Sequence, residues 1–229
     1  MKDFSIPSSD LSLDTAGLKY PSKEASNHDL LSLFFEDNLP RLAEGLRSKP
    51  IELDPGLNSA ELKSKALDEI KHIREISFST LERIAKDADN KNSSEALMIL
   101  IDIVPSEGSS AMKQSLAMLL ANKPEHASTL IELMADPYHR SVRNLAGNIL
   151  KNQIGKFPSL CDELMDRVEG KTEIRNKRGS FTDESLCLAL SGLPSDRAIE
   201  FLQKVQKGPH SDPSAQMIAK ISLSKLNNQ

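Results

Sequence analysis

Apolar residues recur at helical spacing along most of this chain, and residues 123–153, KPEHASTLIELMADPYHRSVRNLAGNILKNQ, constrain the fold most. Ala127, Leu130, Ile131 and Met134 fall at i, i+3, i+4 and i+7, so a helix gathers them into one stripe. Pro124 is expected to open that helix with Asn122 as N-cap, because the N–H that proline lacks would have no intrahelical partner there. Asp136-Pro137 ends it. A second stripe follows at once in Val142, Leu145, Ala146, Ile149 and Leu150. Helices this short are marginal alone, so the two are expected to close face to face and to stack on further pairs.

Similar stripes run through the rest of the sequence. Leu31, Phe34, Phe35, Leu39, Leu42 and Leu46 mark one face, which Pro40 divides into two helices, the second opening at Pro40. After the turn region SKPIELDPGLNS, Asn58 or Ser59 is the expected cap of a long helix reaching about Asp87. Leu62, Ala66, Ile70, Ile73, Leu81, Ile84 and Ala85 line it, and the SFST segment at 77–80 reads as a kink or break, since Ser and Thr compete for backbone hydrogen bonds. Beyond the polar run DADNKNSS, Ser93 or Ser94 is the expected cap of a helix lined by Ala96, Ile99, Leu100 and Ile103 and ended by Pro105. Further stripes comprise Met112, Leu116, Leu119 and Leu120; Phe157, Leu160, Cys161, Leu164, Met165 and Val168; and Leu186, Ala189, Leu190 and Leu193. Two more close the chain: Ala198, Phe201, Leu202 and Val205, then Ala215, Ile218, Ala219, Leu223 and Leu226. Residues 1–27, with six serines and two prolines and no sustained period, read as a flexible Ser-rich leader.

An internal repeat emerges when the second helices are aligned. QSLAMLL from Gln114, RNLAGNIL from Arg143 and QMIAKISL from Gln216 each carry a hydrogen-bonding side chain three residues before a small alanine, with SLCLA from Ser185 as a weaker fourth copy. The alanines lie at 117, 146, 189 and 219, at intervals of 29, 43 and 30 residues. The long interval contains the insertion GKTEIRNKRGS. One small residue per unit is what close helix crossing requires. DPYHRSVRNLAGNIL, residues 136–150, resembles the HEAT repeat, with its D-P turn pair and its V-R-x-x-A run at Val142, Arg143 and Ala146. DPSAQMIAKISLSKL from Asp212 resembles it more loosely, with Gln216 in place of the arginine. The resemblance spans residues 93–226. It implies an all-α fold, a right-handed α-solenoid of HEAT-like hairpins over residues 89–229, behind a helical N-terminal cap at 28–88 and the leader at 1–27. A non-repeating helical bundle is the alternative.

Composition narrows the function. With 29 Lys+Arg against 33 Asp+Glu, the net charge of −4 gives no general attraction to nucleic acid or anionic lipid. Tryptophan is absent and aromatics are 4%, which leaves little for base stacking or aromatic cages. No apolar run reaches the ~18 residues of a membrane span, and the first residues lack the apolar core of a secretory signal. Cys161 and Cys187 sit in helical stripes and read as buried reduced thiols. The five histidines show no ligand spacing, GKT at 170–172 lacks the glycine of a P-loop, and no G-x-S-x-G elbow occurs, so neither a metal nor a cofactor is implied. Asp162/Glu163 and Asp183/Glu184 fall at helix starts, where carboxylates stabilise exposed N–H groups.

The function expected on these grounds is a non-enzymatic scaffold or adaptor, cytoplasmic and monomeric, that binds another protein. Its second helices would present Lys113, Gln114, Arg140, Asn144, Lys151 and Lys220 to the partner. The basic insertion, with Lys171, Arg175, Lys177 and Arg178 against one glutamate, is a further candidate contact. Arg143 is expected to tie the turn at Asp136. If the leader is an export signal, the protein is a bacterial effector acting in a host cell. Other HEAT-like proteins resemble alkylpurine DNA glycosylases, from which this chain departs in lacking Trp and in its acidic balance, or serve as chaperone or lyase factors.

Overall fold

The computed structural model describes residues 38–48, 60–170, 181–192, 195–209 and 211–226. The leader, the apolar face at 28–37, the turn region at 49–59, Leu193 and the basic insertion lie outside the described residues. Among those described there are ten α-helices and no strand. They are α1 Leu39–Arg47, α2 Ala60–Lys86, α3 Ser93–Glu107, α4 Ser110–Leu119, α5 Ala127–Met134, α6 Arg140–Ile154, α7 Ser159–Val168, α8 Asp183–Leu190, α9 Asp196–Lys207 and α10 Pro213–Leu226.

The apolar stripes become the core. Leu130, Ile131 and Met134 of α5 and Val142, Ala146 and Leu150 of α6 are fully buried, and α5 packs along α6 as the paired stripes require. Burial of each such Leu or Ile side chain contributes about 1.5–3 kcal/mol relative to exposure. The N-terminal helices join the same core: Leu42 and Leu46 of α1 pack with Leu81 and Ile84 of α2 and Leu100 and Ile103 of α3. Pro40 lies in the first turn of α1, and Asn38 caps it by accepting a hydrogen bond from Arg41 N at 3.3 Å.

Four helices, α4, α6, α8 and α10, pack on one another in chain order. Contacts at both ends fix their direction. At the starts, Ser110 Oγ of α4 lies 3.5 Å from Ser141 Oγ of α6, and Arg140 of α6 reaches Glu184 of α8 at 2.7 Å. At the ends, Gln153 Nε2 of α6 donates to the carbonyls of Leu120 and Ala121 at 2.9 and 3.2 Å, just past α4. Gly192, beyond α8, comes so near α6 that a Cβ there would lie 2.2 Å from the Lys151 carbonyl oxygen. The helices α4, α6 and α8 therefore run side by side in the same direction. Ala117, Ala146, Ala189 and Ala219, the four aligned alanines, are all completely buried on this row.

Several local expectations need correction. Pro124 opens a single 3-10 turn, Pro124–His126, preceded by Lys123 rather than capped by Asn122, and α5 begins only at Ala127. Pro105 does not end α3, which continues to Glu107. A proline forfeits its own N–H, yet the following turn still closes through Gly108 N on Val104 O at 2.9 Å. The SFST segment does not break α2 either. Ser77 and Thr80 are buried, Ser79 Oγ returns its proton to Ile76 O at 3.0 Å, and packing against α1 and α3 outweighs the weak local propensity. The N-cap of α3 is Asn92, whereas Ser93 Oγ donates to Ala85 O at 3.2 Å and ties α3 back to α2. Ile73, counted among the apolar face of α2, is 46% exposed, and Phe157 stands 45% exposed before α7.

Candidate partner-binding face

The turn between α5 and α6 is organised by Asp136. Its Oδ1 accepts from the backbone N–H of Tyr138 at 2.9 Å and of His139 at 2.7 Å, with His139 Nδ1 at 3.0 Å, while Oδ2 takes the ammonium of Lys113 from α4. Burial of this carboxylate opposes its ionisation, but the Lys113 ammonium and the two backbone N–H groups outweigh that and hold it below the usual carboxylate range. Arg143 Nη1 donates to the Asp136 carbonyl oxygen at 2.7 Å. The expected tie between Arg143 and this turn is therefore present, made to the main chain rather than to the carboxylate.

The second D-P turn follows a related pattern at the start of α10. Asp212 Oδ1 accepts from Ser214 N at 2.7 Å, and this hydrogen bond is the main reason that its carboxyl titrates below the usual range. Gln216, the counterpart of Arg143 in the aligned segments, donates from Nε2 to the Gly208 carbonyl at 2.6 Å. Two different side chains at one aligned position thus hold the turn that precedes their own helix.

The candidate contact residues separate into three groups. Lys113 is withdrawn from any surface: it is 3% exposed and its charge is neutralised by Asp136, so its place among partner contacts is corrected. It occupies the position that completes an i, i+3, i+4, i+7 series with Leu116, Ala117 and Leu120, which is the signal that it faces inward. Gln114 and Arg140 lie along the seams between helices. Gln114 Nε2 bridges to Ser110 Oγ at 3.0 Å and Ser141 Oγ at 3.3 Å. Arg140 grips Glu184 with a two-pronged bond, Nε to Oε2 at 2.8 Å and Nη2 to Oε1 at 2.7 Å, clamping α6 to α8. Asn144 is half-buried, and its exposed counterpart one turn on is Asn148. Lys151 and Lys220 form the third group: Lys151 is partly exposed at the end of α6 and Lys220 is exposed on α10. Lys171, Arg175, Lys177 and Arg178 fall outside the described residues.

Helices of the row also carry exposed apolar groups, Met118 on α4 at 60% and Met217 and Ile221 on α10. Scattered exposed apolar side chains are ordinary, but methionines at a surface are adaptable contacts. Arg197 of α9 joins Asp166 of α7 and Glu169 just past its end, each at 2.9 Å, an ion cluster that no local sequence period announces. Among the described residues there is no group of His, Cys, Asp or Glu that could hold a metal ion, and no helix long and apolar enough to cross a membrane. No family model matches the sequence, and neither a curated protein nor a solved structure does.

Proposed function

We propose that this chain is a HEAT-like helical-repeat scaffold that binds another protein along the open side of α4, α6, α8 and α10. The observation that carries the reading is the row itself. Its four helices pack in chain order, each contributes one completely buried alanine at the aligned position, and Arg143 and Gln216 secure equivalent turns by the same kind of bond. Helices stacked in this way form an extended surface, because each unit buries its apolar face against its neighbours and leaves the outer side free. Polar side chains at Asn148 and Lys220 interspersed with Met118, Met217 and Ile221 supply both hydrogen bonding and apolar contact there.

The test is affinity capture with the full chain as bait, with chemical crosslinking, alongside Asn148→Glu/Lys220→Glu. Both side chains are exposed, so the fold should be unaffected. A partner recovered with the native chain and lost with the variant is expected. Recovery of no partner after crosslinking, or equal recovery with both baits, counts against the proposal.

A further inference from the structure

A cavity of about 690 Å³ opens where the C-terminal ends of α4, α6 and α8 meet, within the ~300–1,000 Å³ typical of ligand clefts. Ile149 forms apolar wall, Pro124 and the half-exposed ring of Phe157 stand at its sides, and Lys151 and Lys156 line it. Among the described residues no carboxylate lines the cavity, although the chain as a whole carries more acids than bases. Helix C-termini bear partial negative charge, which by itself would favour a cation. Here three of the carbonyls at these ends already have donors: Leu120 O and Ala121 O take Gln153 Nε2, and Gln153 O takes the N–H groups of Lys156 and Phe157 at 2.9 and 2.7 Å. Lys151 and Lys156 carry the only formal charges among the described residues that line the cavity, and they set its sign.

Resting on the scaffold reading, we propose that this cavity is the anchoring site for an acidic linear segment of the partner protein, with an apolar side chain against Phe157 and carboxylates against Lys151 and Lys156. The floor is built to hold its shape. Gln153, 3% exposed, binds α6 to the end of α4, and Gly192 lets the end of α8 approach the Lys151 carbonyl more closely than any side chain would allow. An extended peptide suits this cleft, because Lys156 and Phe157 of its lining are exposed and Lys151 is partly so, which leaves both the charges and the ring within reach of a chain laid across it.

The experiment uses the full chain and fluorescein-labelled peptides of about ten residues, roughly 33 Å when extended. One pool places a single Leu or Phe among Asp and Glu. A second places the same apolar residue among Lys and Arg. Binding is read by anisotropy for the native chain, Lys151→Gln/Lys156→Gln, Lys151→Glu/Lys156→Glu and Phe157→Ala, each first checked for a native melting transition. The expected result is binding of the acidic pool alone, weakened at least ~10-fold by charge reversal, by a smaller factor in the Gln pair and in Phe157→Ala, and by added salt. Binding of neither pool, equal binding of both, or acidic binding that the folded variants leave unchanged overturns the proposal. The two readings fail separately. A partner captured by the native chain and lost in Asn148→Glu/Lys220→Glu, with no peptide bound, rejects the cavity and leaves the scaffold standing. Peptide binding without any captured partner reverses that outcome.

Discussion

Asp136 accepts the Lys113 ammonium and two backbone N–H groups from a position 2% exposed, so its charge is matched only while the α4–α6 contact holds. Removing one member of a buried pair leaves the other uncompensated. Lys113→Met is expected to cost about 3–5 kcal/mol in urea unfolding, whereas Arg140→Ala, which breaks a pair in which Arg140 is exposed and Glu184 only partly buried, should have a smaller effect. The acid limb follows from the sign of the shift. The folded-state pKa of Asp136 is depressed, so its contribution is fully present above the unfolded value of about 3.9 and is lost as pH falls through the folded value. Urea midpoints taken from pH 7 down to 3 should fall less steeply below pH 4 for Asp136→Asn than for the native chain. Cys187 is buried, and that burial, with the nearby Asp183 charge, pushes its thiol up to about 12. Ellman's reagent at pH 8 should find Cys187 unreactive in the native state and accessible only in denaturant. A native thiol that reacts at the denatured rate would contradict this placement.

The helices themselves were legible because their apolar period survives in sequence. The stripes of α5 and α6 and the D-P turn between them stand where the spacing puts them, and the alanines at 117, 146, 189 and 219 are buried. What was not legible has identifiable physical causes. Pro105 and the SFST segment look like breakers locally, but tertiary packing around α2 and α3 carries the helices through them. Lys113 reads as surface by its charge, although its position on the stripe of α4 pointed inward. The cavity draws its lining from turns distant in sequence, so no window of residues could announce it. At this scale Ala146→Leu is expected to overpack the row and cost about 1–3 kcal/mol, more than Ala121→Leu at the partly exposed end of α4. Gly147→Ala discriminates further. Alanine ordinarily stabilises a helix interior by up to ~1 kcal/mol relative to glycine, but here a Cβ would lie 2.8 Å from the Ser185 carbonyl oxygen of α8. A net destabilisation is expected in thermal melts, and a gain would mean that α6 and α8 do not approach so closely.

At the scale of the whole molecule, helices α3, α5, α7 and α9 each pack against members of the row α4, α6, α8 and α10. On the proposed scaffold reading the binding face is the side of the row they leave uncovered, with Asn148 exposed on α6 and the basic cavity at the helix ends. A scaffold of the proposed kind must meet its partner on this uncovered side of the row. A photo-crosslinking residue placed at Asn148 tests this most directly, with the same residue at Met98, 53% exposed on α3, as the control. Crosslinked partner is expected from position 148 and none from position 98. Crosslinks from 98 alone, or equally from both, would contradict a binding face built on the row of second helices.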